Sequence, residues 1–164
     1  AAHVRSASSA VAAAAVELLG HGRYPRDAVA HYAEVLQATA PFRGLPMFRY
    51  RGYRGPWIEN AWIERFCCDV PDSQAAMWRF GEFIPLFVQW MDLRLDGDRN
   101  RSAEQAAVAA ERYMELAKVL AQVLRRDVVY ITVSQHDGGL PAGLLPECIL
   151  PNVLVLSSGG FGHV

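Results

Sequence analysis

Most of the features that announce a function outright are missing from this 164-residue sequence. It has three cysteines. Cys67 and Cys68 are adjacent and poorly placed to bond each other, and Cys148 is distant, so there is no CxxC metal or redox pattern and no disulfide framework. Neither sign of charge is in excess. Sixteen basic residues stand against seventeen acidic, a formal net charge of −1, which removes any global electrostatic case for nucleic acid or an anionic membrane as partner. No apolar run approaches the ~20 residues that span a bilayer. Residues 6–16 carry no charge, but they are mostly alanine and Glu17 ends them. The P-loop GK[ST], the full GxGxxG fingerprint and the GxSxG elbow are all absent, and the aspartates at 92, 96 and 98 lack calcium-loop spacing.

What remains is a chain built to bury a core. Hydrophobic residues make up 52% and charged residues 20%, with a mean hydropathy of +0.07. The length suits one ordinary domain. Residues 8–19 read as a helix closed by Gly20. A second helix is expected after Pro25, with Val29, Ala33 and Leu36 at helical spacing and an end before Pro41. Residues 1–40 are thus a helical segment, and 41–164 an α/β domain. In residues 57–68 a third helix places Trp57, Ala61, Glu64 and Cys68 on one face, and Ile58, Trp62 and Phe66 on the next.

Residues 83–91, apolar and interrupted by Pro85, read as a strand or strand edge. Residues 95–100 are a turn. Ser102 and Gln105 then form a capping box, with Glu104 near the positive end of the dipole. Tyr113, Leu116, Ala117, Leu120, Val123 and Leu124 make an apolar stripe down the helix that follows. VVYITV at 128–133 and NVLVLSS at 152–158 are β-branched and almost continuously apolar, as strands covered on both faces are. Helix, strand, loop, strand is the rhythm of an α/β fold: a Rossmann-like, mostly parallel sheet flanked by helices. Val164 closes the chain just after an apolar run and a glycine loop, where such folds continue into a helix. The domain is therefore expected to be truncated at its C-terminus, and a segment before Ala1 would not show in this sequence.

In such sheets the loops past the carboxyl ends of the strands line the ligand crevice. Three segments qualify: WMD ending at Asp92, SQHDGG at 134–139, and SSGGFGH at 157–163. His136 and Asp137 follow a buried strand, where a shielded imidazole or carboxylate can act as general base. The alternative is that Asp137 and Gly138 form only a turn. Ser157, Ser158, Gly159, Gly160, Gly162 and His163 offer close backbone approach and extra donors to an anion, or else a tight strand-to-helix turn. The run FRYRGYRGPW at 48–57 carries Arg54, Tyr53 and Trp57, which suit phosphate or a sugar face, or else form a solvated basic loop. Glu59 and Asn60 are candidate functional groups. Glu59 and Glu64 diverge by roughly 140° on a helix and do not make a catalytic pair. Asp92 is expected in a solvated turn, and His3, His21 and His31 have no ligand-like spacing.

FIPLFVQWMD, a helix, DVVYITVSQHDGG and PNVLVLSSGGFGH, in that order, resemble the N-terminal half of exostosin-like glycosyltransferases over roughly residues 45–164. GPWIENAWIERF resembles a feature of the same family. SSGGFGH is separately similar to GGxGH-type loops near acceptor sites in other two-domain glycosyltransferases. The resemblance implies half of a GT-B architecture: two Rossmann-like domains face a cleft, and a sugar moves from a nucleotide-sugar donor, usually without a bound metal. These residues would be the acceptor-side half, with no cofactor of their own and a carbohydrate or glycoprotein as acceptor. The nucleotide-binding half is expected outside them. Arg125-Arg126-Asp127 only partly echoes the family's G-R-D-H run.

Residue by residue, His136 and Asp137 match the His-Asp position, while Gly159, Gly160, Gly162 and His163 match the glycine loop. The resemblance makes Asp137 the candidate base, with His136 second. Substrate contacts are expected from Arg54, Trp57, Glu59, Asn60, Asp92 and the 157–163 loop. It also implies a Golgi or secretory location, with any membrane anchor outside this chain. Two other readings stand beside it: a non-catalytic carbohydrate- or protein-binding α/β module, and a Rossmann-like nucleotide-binding enzyme.

Overall fold

The computed structural model describes residues 27–44, 57–68, 79–81, 83–93, 102–136, 138–141, 143–146, 149 and 152–157. Helix 8–19, most of the Arg/aromatic run, the turn at 95–100 and the 158–163 loop lie outside the described residues.

The described elements make an α/β fold around a parallel sheet. Helix α1, Ala28–Ala38, is followed by a 3-10 turn, Ala40–Phe42. Helix α2, Ile58–Ile63, loosens into a π-helical turn, Glu64–Cys68. Strand β1, Phe83–Pro85, runs through an extended stretch into a 3-10 turn, Trp90–Leu93. Helix α3, Ala103–Val123, leads to strand β2, Val129–Ser134, and a long loop leads to strand β3, Val153–Ser157. The strand order is β1-β2-β3 and both pairings are parallel. Ile84 lies opposite Tyr130, and Ser134 opposite Ser157. All three carboxyl ends therefore point to one edge.

Each element follows from local chemistry. The Ser102 hydroxyl accepts from the Gln105 N–H at 3.2 Å, and the Gln105 side chain accepts from the Ser102 N–H at 2.9 Å. This is the expected capping box, and it starts a helix that buries Ala109, Leu116 and Leu120. Pro85 has no N–H, yet it sits in β1 without loss. The Leu86 N–H bonds back to Ile131 O at 2.8 Å, and pleat alternation turns the Pro85 nitrogen away from β2.

The core forms where these faces meet. Tyr32 and Val35 of α1 join Ile84, Leu116, Leu120, Tyr130 and Val153 in one cluster. Trp62, Phe66, Phe80 and Phe87 pack ring against ring at 5.0–5.4 Å. Past the Leu86 N–H the stretch after β1 leaves the ladder of β2, and side chains take over part of its hydrogen bonding. The Leu86 carbonyl accepts from Trp62 Nε1 at 3.1 Å and from the Thr132 hydroxyl at 2.9 Å.

Four expectations need correction. The 83–91 strand is regular only over Phe83–Pro85, because its later residues turn into the 3-10 segment. The inward face of α1 is Ala28, His31, Tyr32 and Val35, while Val29 is 41% exposed. His31 is drawn inward by a 2.9 Å bond to the Tyr130 hydroxyl, which outweighs its polarity. On α2 the inward residues are Glu59, Trp62 and Ile63, and Ile58 is exposed. The expectation of strands covered on both faces fits β2, but Leu156 of β3 is exposed among the described residues.

Candidate functional site

Three segments converge at the carboxyl edge. Glu59, in the first turn of α2, is 3% exposed. Its Oε1 accepts the Gln135 N–H at 2.8 Å, and its Oε2 accepts the Met91 N–H at 3.1 Å. The carboxyl thereby touches both the turn after β1 and the loop after β2. Gln135 answers in kind: its Oε1 accepts the Ile58 N–H at 2.8 Å. Beside them the Gln89 side-chain amide donates to Asn60 Oδ1 at 3.1 Å. WIEN, WMD and SQH, far apart in sequence, are one cluster.

Electrostatics in this cluster are unusual for a carboxyl group. Burial pushes Glu59 up to about 7, against the N–H donors of Gln135, Met91 and Trp90, which pull it down. Asp92 adds to the rise. Asp92 is itself only 4% exposed, which corrects the expectation of a solvated turn. The 3-10 turn folds it inward with Trp90 and Leu93.

Along β2 the same edge is braced from below. Trp90 Nε1 donates to the Thr132 hydroxyl at 2.9 Å. The Ser134 hydroxyl donates to Gly139 O at 2.8 Å and accepts the His136 N–H at 3.3 Å. The Gly139 N–H closes the turn on His136 O at 2.9 Å, with Gly139 at φ +73°, a conformation that favours glycine. Inside that turn the Gly138 N–H donates to His136 Nδ1 at 2.9 Å. An accepting Nδ1 is unprotonated, so the neutral ring carries its proton on Nε2. A Cβ at Gly138 would stand 3.1 Å from Nδ1, so the glycine makes room for the ring.

The other candidates are placed as follows. Trp57 precedes α2 in extended conformation and is half-buried. Ser157 ends β3 opposite Ser134, with its hydroxyl oxygen buried and unpaired among the described residues. Arg54, Asp137, Ser158, Gly159, Gly160, Gly162 and His163 lie outside the described residues. Glu64 is exposed, on the turn that follows α2. It lines an open cavity of about 590 Å³ with Ala61, Arg65 and Arg79, none of which belongs to the strand-end cluster. Among the described residues no three His, Cys, Asp or Glu side chains gather into a metal site, and no helix is long and apolar enough to cross a membrane.

Sequence reasoning missed Gln89, Gln135 and Thr132 as partners. Gln89 was detectable in principle, as the one amide in an otherwise apolar run. Compared with known proteins, the chain matches no family model, no curated protein and no solved structure.

Proposed function

We propose that this chain is the acceptor-side half of an exostosin-like glycosyltransferase. A sugar passes from a nucleotide-sugar donor to a hydroxyl of a carbohydrate or glycoprotein acceptor. One observation carries the proposal: WIEN, WMD and SQH meet around a buried carboxyl at the carboxyl edge of a parallel sheet. Open α/β sheets place ligands at that edge, and WMD and SQH fall in two of the segments on which the resemblance to the family rests, with WIEN in a further, separate likeness.

In this reading Asp137 takes the proton of the acceptor hydroxyl while the hydroxyl oxygen attacks the anomeric carbon and the nucleoside diphosphate departs. His136 is the less suitable base, because its Nδ1 already accepts the Gly138 N–H. Its Nε2–H is a donor that orients a hydroxyl or a carboxylate beside it. Asn60, Gln89 and Asp92 supply the polar wall. The glycine loop at 158–163 and the nucleotide-binding half would meet the charge on the leaving group with fixed dipoles.

The test is nucleoside diphosphate release by the intact protein across a panel of nucleotide sugars and acceptors. Asp137→Asn is expected to lower kcat by about 10²-fold or more, the usual worth of a general base, with acceptor affinity nearly unchanged. Turnover surviving within a few-fold removes Asp137 from the role. Acceptor binding without turnover for any donor would favour a non-catalytic binding module.

A further inference from the structure

Glu59 has little room to touch a substrate, since it is 3% exposed and both its oxygens accept backbone N–H groups. The two tethered groups belong to different loops: Met91 to the turn after β1, Gln135 to the loop after β2, one residue before His136. The second loop is also held by the return bond from Gln135 Oε1 to the Ile58 N–H. Few other contacts among the described residues can set the spacing of these two loops at the mouth of the site. The Trp90–Thr132 bond lies deeper, within the body of β2.

We infer that Glu59 is a positioning residue, whose carboxylate ties the turn after β1 to the loop after β2 and so sets where His136 stands relative to Asp92. The inference rests on the transferase reading of that edge. Its chemistry is specific to a carboxylate. Two oxygens without protons accept two N–H donors. Once one oxygen is protonated, its O–H faces an N–H, and one of the two tethers weakens. Among the described residues the charged group that acts on it is Asp92, on the turn after β1, while His136 follows the tethered Gln135 on the loop after β2. Asp92 holds the Glu59 proton more firmly.

The measurement is a pH titration by NMR of the intact protein, labelled with ¹⁵N in Met and Gln and with ¹³C at the Glu carboxyls. The Met91 and Gln135 amides are expected to shift together, with one midpoint near 7 shared by the Glu59 carboxyl. In Glu59→Gln the coupled shift disappears. In His136→Asn it persists, and in Asp92→Asn its midpoint falls. Different midpoints for the two amides, or a shift that survives Glu59→Gln, overturn the inference. If Glu59→Gln does not fold, the wild-type comparison of carboxyl and amide midpoints decides alone. These readouts need no turnover. Absence of sugar transfer therefore counts against the transferase and not against the tether, and absence of coupled shifts does the reverse.

Discussion

At the scale of single residues, the cluster is governed by what burial does to charge. Glu59 holds its proton more tightly in the folded chain than in the unfolded one, because desolvation raises its pKa from 4.5 to about 7. Its contribution to stability is therefore fully present below pH 4.5 and is lost as pH rises through 7. The difference amounts to about 3 kcal/mol. Denaturant titrations from pH 5 to 8 should show this slope in the wild type and a flatter one in Glu59→Gln. Gly138 makes a second, local prediction. A methyl group there meets the His136 ring at 3.1–3.3 Å, so Gly138→Ala should push the ring off its N–H donor. The ¹⁵N shift of His136 Nδ1 reads this directly, while the global cost stays below about 1 kcal/mol.

At the scale of elements, two devices hold the frame. The capping box on α3 satisfies the orphan N–H of Gln105 and the N–H of Ser102. Ser102→Ala is expected to cost about 1 kcal/mol, measured by chemical denaturation. The stretch after β1 relies on a relay of side chains, from Trp90 Nε1 to the Thr132 hydroxyl to Leu86 O. Thr132→Val keeps the shape but strands a buried indole N–H, and about 1–3 kcal/mol should be lost. Trp90→Phe in the same background should recover part of it, because the stranded donor goes too. A double-mutant cycle measures that coupling.

At the scale of the whole molecule, Tyr130 joins three parts of the chain. Its hydroxyl accepts the Arg125 N–H at 2.7 Å and shares a hydrogen bond with His31 Nε2 at 2.9 Å, tying α1 and the end of α3 to β2. Tyr130→Phe should cost about 1–3 kcal/mol, with α1 exchanging its amide hydrogens earlier than the sheet. The α/β class and the extent of α3 were legible in the sequence because they depend on local periodicity and capping. The buried faces of α1 and α2 were not. His31 and Glu59 are polar, and only partners about a hundred and about eighty residues away make them inward residues. Hydrophobic patterning cannot foresee such pairings, so the site showed as separate segments and not as one tether. Pro85 has a consequence of its own. A backbone laid along the outer side of β1 would find no hydrogen to accept at that position, so the ladder there is short of a rung. Among the described strands, that flank of β1 is thus the poorer template at this one position, because a neighbouring carbonyl there is left without its donor.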